Sequence, residues 1–418
     1  MNRRGIILFS LVIFCLILSS PVWGEFKLTP SISIREEYDD NIFLTADNEK
    51  GDFITSIYPS ISLGYTSNLL TLSLDYGVNF RFYLHNSDQN ETDLTNTQRA
   101  KLDSTVSLYR DIFFIKVFDE YARVPIDVRK QTAINNQFVN MTDSNHFLVN
   151  PYILYPLSGT LQAKAGYSYE NVWYKDKAGD DLQSHLMTIG LIKEFSPKLS
   201  TSLFYTYSIN NYKITEDYDR QDIVFGMNYQ LTEKFSLQGS FGYAWLNYKE
   251  AEDYNSDIWS IDAKYLLTEK VSVGAGYSQN FMNSVDQGTY KNDGAAAFIT
   301  WQGSVPVTLR GFMQKSDYII ENREDKSTGV SLSGDIPLTP KLTAKITGLY
   351  TYYKFSPEEG NVNPEEEKAN RYGVGITFDY AIRITTISIG YIHDLNDSNI
   401  EQNDYRDNRF SVGARFTL

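Results

Sequence analysis

A chain of 418 residues with 31 Tyr, 24 Phe, 26 Gly and only 12 Pro is too aromatic and too poor in chain breakers to be disordered as a whole. It carries 52 acidic against 38 basic residues, a balance that opposes a nucleic-acid partner. Its one cysteine, Cys15, lies in a segment expected to be removed, which leaves neither a disulfide nor a thiolate metal centre to hold the fold.

The first element is the run "MNRRGIILFSLVIFCLILSSPVWG". Arg3 and Arg4 precede an apolar stretch from Gly5 to Leu18, and Val22 and Gly24 are small enough to precede a cut. The stretch is too short and wrongly flanked for a retained membrane helix, so residues 1–24 are expected to be a secretory signal peptide and 25–418 one mature domain. Cys15 lacks the preceding small residue that a lipoprotein signal needs. Losing Arg3 and Arg4 leaves 36 basic against 52 acidic residues, a formal charge of −16. No other segment approaches the ~18 apolar residues of a spanning helix, so any contact with a bilayer must be made by strands.

A strand is expected from Phe26, too early for a plug domain to precede it, and alternation recurs from there to the end. In "FSLQGSFGYAWLNYK" (235–249), Phe235, Leu237, Phe241, Tyr243 and Trp245 share one side. Ser236, Gln238, Ser240, Gly242 and Ala244 share the other. Tight turns are expected near Ser67, Arg110, Ser158, Pro197, Glu233, Glu269, Gly303, Pro340 and Arg383. Four of them repeat a motif: "SPKL" at Ser196, "TEKF" at Thr232, "TEKV" at Thr268 and "TPKL" at Thr339, spaced 36, 36 and 71 residues apart. Longer acidic segments such as "ITEDYDRQD", "EAEDYNSD", "ENREDKS" and "PEEGNVNPEEEK" fall at the opposite ends of the hairpins.

Nine turns between ten out-and-back excursions predict about 20 strands, with 18 as the alternative. The fold class expected is all-β: a transmembrane antiparallel β-barrel with short periplasmic turns and longer acidic extracellular loops in a Gram-negative outer membrane. Strands of roughly 11 to 14 residues would exceed the ~9 to 11 that cross hydrocarbon at a tilt.

One face collects Leu70, Leu72, Leu74 and Tyr76, then Leu203, Tyr205 and Tyr207, then Tyr372, Val374, Ile376, Phe378 and Tyr380. The other collects the pore-lining candidates Asp75, Arg81, Lys101, Asp103, Lys164, Glu170, Asp262, Lys264, Arg310, Lys345, Asp379 and Arg415. Cations on the lipid side would cost about 2 to 4 kcal/mol at mid-bilayer, which makes this sorting the decisive test. Three residues resist the pattern: Asp119 falls with Ile115, Val117 and Tyr121, while Pro59 and Pro151 interrupt strands where a bulge would reset the register. The final "RFSVGARFTL" puts Phe410, Val412, Ala414, Phe416 and Leu418 on one face. That pattern is similar to the signal read by the barrel assembly machinery, with Leu418 in place of the usual final Phe.

Any constriction must come from infolded loops, and the candidates are Pro125 to Asp143 and Phe355 to Asn370; surface loops packed against lipopolysaccharide are the equal alternative for both. The polar face mixes both signs of charge with Ser, Thr, Asn, Gln and Tyr, which suits a neutral or polymeric sugar and equally suits water. No nucleotide, zinc-protease or serine-hydrolase motif occurs, and no cofactor or metal is expected. Of His85, His146, His185 and His393, only His393 with Asp394 and His85 near Ser87 could serve a rim hydrolase, and solvated rim histidines are the simpler reading. The acidic loops lack the spacing of a calcium loop and read as solvated charge. "GAG" at Gly274 and "GVG" at Gly373 read as close-packing or bulge glycines.

The segment "REEYDDNIFLTADNEKGDFITSIYPSISLGY" resembles the start of a family of outer-membrane β-barrel porins. The matching positions are Tyr38, Asp40, Asn41 and Ile42; Asp52, Phe53 and Ile54; and Pro59, Ile61, Ser62 and Leu63. Members of that family are often associated with exopolysaccharide export or exosortase-linked gene clusters. The resemblance therefore implies a passive, non-enzymatic pore for exopolysaccharide or oligosaccharide, with lipopolysaccharide, outer-membrane lipid and polysaccharide export components as partners. A general diffusion porin, a rim hydrolase and a secreted soluble β-protein are the alternatives.

Overall fold

An alternating segment followed by a short polar turn folds back antiparallel on itself, and a chain built only of such hairpins must close or leave two raw edges. In the computed structural model, which describes residues 24–109, 111–130, 132–134, 137–357 and 366–418, it closes. The strands are β1 (Glu25–Asp39), β2 (Asp52–Thr66), β3 (Leu70–Val78), β4 (Phe80–Tyr83), β5 (Gln98–Leu108), β6 (Phe113–Pro125) and β7 (Met141–Ser158). They continue as β8 (Leu161–Tyr174), β9 (Leu182–Ser196), β10 (Leu199–Tyr212), β11 (Tyr218–Gln230), β12 (Phe235–Tyr248), β13 (Tyr254–Thr268) and β14 (Val271–Asn283). The last are β15 (Thr289–Trp301), β16 (Val307–Tyr318), β17 (Arg323–Pro337), β18 (Leu342–Phe355), β19 (Glu367–Ile382), β20 (Thr385–Ser398) and β21 (Tyr405–Thr417).

β1 pairs with β21 from Ser31↔Thr417 to Asp39↔Arg409, so no edge remains. β3 and β4 are two pieces of one stave, since Ile61↔Tyr76 and Ile57↔Phe80 keep one register against β2. Counted so, the 21 strands form a barrel of 20 staves. All nine expected turns lie between strands; Arg110 itself is outside the described residues, in the turn closed by Ile112 N to Tyr109 O at 3.1 Å.

The two prolines break ladders without shifting them. Between β2 and the split stave the pairing lapses at Tyr58 and Pro59, where Pro59 has no N–H to give to the strand opposite, while on the stave's other side Asn79 N continues the ladder to Thr97 O at 2.8 Å. Between β7 and β8 the pairing lapses after Val149↔Tyr169 and resumes at Tyr152↔Gly166 in the same register. There Asn150 Nδ2 fills the gap left by Pro151, donating to Tyr167 O at 2.9 Å and to Ser168 Oγ at 2.6 Å. Asn150→Ala should therefore cost about 1–3 kcal/mol, the penalty for orphaning a carbonyl in a dry wall. Urea unfolding of the purified barrel reads this directly, and an unchanged midpoint would refute it. Asp119 keeps the outward position that its sequence parity assigned, opposite Phe147, and accepts from Asn145 Nδ2 at 2.7 Å.

Apart from register shifts at the turn ends of the β7–β8, β9–β10 and β13–β14 pairs, each ladder keeps one register, and parity fixes the face of most side chains. Phe281 departs from it, joining the inward cluster of Leu246 and Tyr248 although it shares parity with the outward Tyr277. One face carries Ile189, Phe241, Val374 and Ile389, which are 60, 65, 56 and 57 % exposed. Ala244, Leu246, Ala369 and Asn396 on the other face are fully enclosed. A continuous exposed apolar wall of this kind is what lipid requires. Toward its loop end the wall carries the ring pairs Tyr38–Phe53, Trp259–Tyr277, Tyr350–Tyr372 and Tyr391–Phe410, with centroids 4.9, 4.3, 4.9 and 4.6 Å apart, an interfacial girdle.

One expectation needs correction. The acidic segments are not all loops: β11 begins at Tyr218, β13 at Tyr254 and β17 at Arg323, so much of each is the outer end of a strand. The connections 213–217, 249–253, 284–288 and 319–322 are as tight as turns, and the marked asymmetry rests on 40–51, 84–97, 126–140 and 356–366. Strands continue beyond the bilayer there because tyrosine and paired charge support β-pairing in water as well.

Candidate functional site

Parity places Asp75, Lys101 and Asp103 on the inward face of β3 and β5, and Arg81 on that of β4. Lys164 and Glu170 on β8, Asp262 and Lys264 on β13, and Arg310 on β16 also face inward. So do Lys345, Asp379 and Arg415 on β18, β19 and β21. They do not converge on one point but ring the wall, and neighbours neutralise each other. Lys101 Nζ lies 3.1 Å from Glu120, Lys116 Nζ 3.7 Å from Asp103, and Lys345 Nζ 2.7 Å from Asp379. His146 Nε2 lies 2.7 Å from Glu170. Lys164 sits 4.9 Å from the Tyr152 ring centroid and Arg310 5.8 Å from that of Phe312. Asp75, Lys101, Glu120 and His146 face one another across consecutive staves. Such alternation leaves little net field for selecting ions by sign.

The interior changes character along the barrel. On β1 the inward series runs from exposed Lys27 through half-buried Ser31 and Ser33 to buried Glu37 and Asp39. On β12 it runs from exposed Gln238 to buried Ala244, Leu246 and Tyr248, and on β21 from exposed Arg415 to buried Arg409, Asp407 and Tyr405. The turn end is therefore a solvated vestibule. It includes a recess of about 650 Å³ whose lining contains Glu194, Lys198, Asn228, Gln238, Asp262 and Lys264. The loop end is filled.

Part of the filling is the described residues of 126–140, within Pro125 to Asp143, one of the two segments named as candidates for an infolded loop. Arg371 on β19 donates through Nη2 to Arg129 O and Lys130 O at 3.1 and 3.2 Å, and through Nη1 to Val128 O at 3.3 Å. Asp394 Oδ1 on β20 accepts from Ile134 N at 3.1 Å, and the Tyr405 hydroxyl on β21 donates to Thr132 O. Gly373 permits the approach: a Cβ there would stand 2.6 Å from Ile134 Cδ1. This is the close packing that the "GVG" glycines suggested. On the near side, Phe138 meets Phe43 edge-on at 5.5 Å, and Arg123 Nη1 donates to Gln137 O at 2.7 Å.

At the loop's first bend Asp127 Oδ1 accepts from Arg129 N and Nε, both at 3.0 Å. Burial pushes the Asp127 carboxyl up, but the Arg129 bonds and charge outweigh it and hold it below the usual carboxylate range. Asp286, in the connection 284–288, is pushed up by burial, with Asp127 adding repulsion. Arg129 also lies within electrostatic reach of Asp325 on β17, across the barrel from β6 and β7. Of the second candidate, Phe355 to Asn370, residues 358–365 lie outside the described set; at its far flank Glu366 pairs with Lys354 at 2.7 Å.

The rest of the filling was not foreseen. Tyr218, Ala244, Leu246, Tyr248, Ile258 and Phe281 form a buried cluster near the loop end. Asp180 ties the loops beside it, accepting from Lys213 N and Ile214 N at 3.1 and 2.7 Å while its own N donates to Val285 O at 2.7 Å. Parity did announce that Leu246 and Tyr248 follow Ala244 inward; their type contradicted the polar character of that face.

The hydrolase pairs are not assembled. His393 faces outward and its Nδ1 is 2.8 Å from Asn408 Oδ1, whereas Asp394 faces inward, where Arg409 Nη2 lies 2.6 Å away. His85 Nδ1 lies 3.2 Å from Asp52. The Asp52 carboxylate is already engaged by His85 N, Asn86 N and Phe53 N at 2.9, 2.8 and 2.8 Å. The family-like residues Asn41 and Asp52 thus have architectural work: Asn41 Nδ2 donates to Thr45 O and Arg406 O at 2.8 and 2.9 Å, tying the first loop to β21.

The resemblance read from the sequence is borne out over residues 22–109, which match the family described as "Putative beta-barrel porin 2". No curated protein matches the chain. Among solved structures it is similar to the FrpB iron transporter from Neisseria meningitidis (F5-1 variant), at 9 % identity, over 93 % of this chain and 82 % of that one, with a TM-score of 0.50. It is also similar to a mutant of the ferric enterobactin receptor PfeA from Pseudomonas aeruginosa, at 9 % identity, over 94 % of this chain and 80 % of that one, again with a TM-score of 0.50. At such identity the likeness is one of fold. An inverted apolar wall, a closed antiparallel barrel and a porin-family N-terminal segment together make the chain a β-barrel of the Gram-negative outer membrane, porin-like over residues 22–109.

Proposed function

We propose that the chain is a solute-conducting barrel in which polar cargo moves along the inner wall between the turn-end vestibule and a constriction at the loop end. The observation that carries this reading is the Arg371 clasp. The loop 126–140 is held across the interior largely by hydrogen bonds to its backbone carbonyls, which water or a hydroxylated cargo can replace. The favoured cargo is a sugar chain. Paired charges, abundant hydroxyls and amides, and rings such as Tyr152 and Phe312 suit an uncharged polymer better than a single ion, and the porin-family resemblance points toward exopolysaccharide export. In this reading the outer wall meets outer-membrane lipid, the loop end meets lipopolysaccharide, and the turn end meets polysaccharide export components.

The test is single-channel recording from the purified mature chain with oligosaccharides of increasing length. Length-dependent, saturable reduction of the current is expected. A current indifferent to every glycan would leave a general diffusion porin.

A further inference from the structure

The acidic loops have no calcium-loop spacing, but the fold brings carboxylates together from the two ends of the chain. Asp39 ends β1, Asp40 follows it, and Asp407 lies near the start of β21, at the seam where the barrel closes. One carboxylate oxygen from each lies within 4.8 Å of the other two. Asp407 is 1 % exposed and Asp39 is buried beside it.

Asp407 Oδ2 is 2.9 Å from Arg409 Nε. Its Oδ1, fully buried, meets no N–H or O–H donor among the described residues; its neighbour is the Asp39 carboxyl, and the two can bond directly only by sharing a proton. The partners of the other two carboxylates hold them in place: Asp39 Oδ1 accepts from Asn41 N at 2.9 Å, while Asp40 Oδ1 and Oδ2 accept from Asn408 N and Nδ2, each at 2.7 Å. The local charge is unbalanced. Arg409 is shared with Asp394 at 2.6 Å, and Arg35 pairs with Glu37, so the one salt-bridge partner of Asp407 among the described residues is divided between two carboxylates. Buried carboxylates in mutual contact need a proton or a cation between them.

We propose that Asp39, Asp40 and Asp407 form a site for a hard divalent cation such as calcium, bound at the barrel seam. All-oxygen, carboxylate-rich donors of irregular geometry, drawn from a strand end and the strand paired with it, are the ligand set such an ion takes. Bound there, the ion staples the first stave to the last. Through Asp407, Arg409 and Asp394 it also steadies the wall on which Ile134 docks.

The test uses the full mature chain in detergent, stripped with a chelator and then titrated with calcium. The thermal midpoint should rise saturably by several degrees, and terbium luminescence, sensitised by nearby tyrosines such as Tyr405, should be displaced by calcium. Asp407→Asn should lose both responses while still running as a heat-modifiable folded barrel. Should that variant fail to fold, Asp40→Asn, nearer the surface, should lose them instead. No calcium-dependent shift in the wild-type chain would overturn the proposal. Terbium and calcium responses identical in the wild type and the folded variant would overturn it too, since only solvated surface acids would then be binding.

Discussion

Replacing Arg371 with alanine is expected to raise single-channel conductance several-fold and to sensitise cells that express the barrel to bulky antibiotics. One guanidinium reaches three consecutive carbonyls of the loop, those of Val128, Arg129 and Lys130. No smaller or monodentate donor can span them, so Arg371→Lys should open the barrel nearly as far as alanine does. Each lost bond to a charged donor is worth about 1.5–3 kcal/mol. Anchors left on the far wall include the Asp394 bond to Ile134 N and the Tyr405 bond to Thr132 O. Arg371 also bonds Asn396 at 3.1 Å and lies 4.6 Å from the Tyr353 ring, so its loss costs some wall stability as well. Gly373→Val separates the two effects, because it leaves Arg371 in place and fills the space that Ile134 occupies. It should raise conductance in the same direction. Conductance unchanged in both variants would mean that the loop does not limit flow.

The second large effect concerns the walls. Ile189→Arg, at the centre of β9 and 60 % exposed toward lipid, should destabilise the barrel by about 2–4 kcal/mol in bilayers. Thr188→Arg, one residue away but facing inward beside Thr206 at 3.3 Å, should cost less than about 1 kcal/mol, since a long cation there can reach the water of the interior. Chemical unfolding from lipid vesicles measures both. Equal penalties would mean that adjacent residues do not face different solvents, and the assignment of inside and outside would fail.

The alternation that carries this contrast was legible from residue types alone. Lipid tolerates almost no polar side chain, so each strand declares its parity, and twelve charged residues scattered from Asp75 to Arg415 landed on one face. Asp119, Pro59 and Pro151 looked like register faults and are not: Asn145 and Asn150, each beside its exception in space, satisfy two of them without moving a strand. What parity cannot convey is depth or what lies across the interior. Leu246 and Tyr248 share the inward parity of Ala244 but belong to a packed cluster. The carbonyls of 128–130 and Arg371 are separated by more than 240 positions, and nothing periodic links them. Where strands end was misread for a related reason, as acidic and tyrosine-rich runs such as Tyr218 to Asp222 remain paired in water.

The pairing of β1 with β21 has a bearing on how the molecule is made. Its first stave waits for its last: Pro30 O receives the N–H of Leu418 at 3.1 Å, so the cylinder cannot shut before β21 has been made. Contacts of such long sequence separation form slowly, and until they do, both borders of the sheet stay open to stray partners. The interval before the ring seals is therefore the one in which this sheet is most open to aggregation.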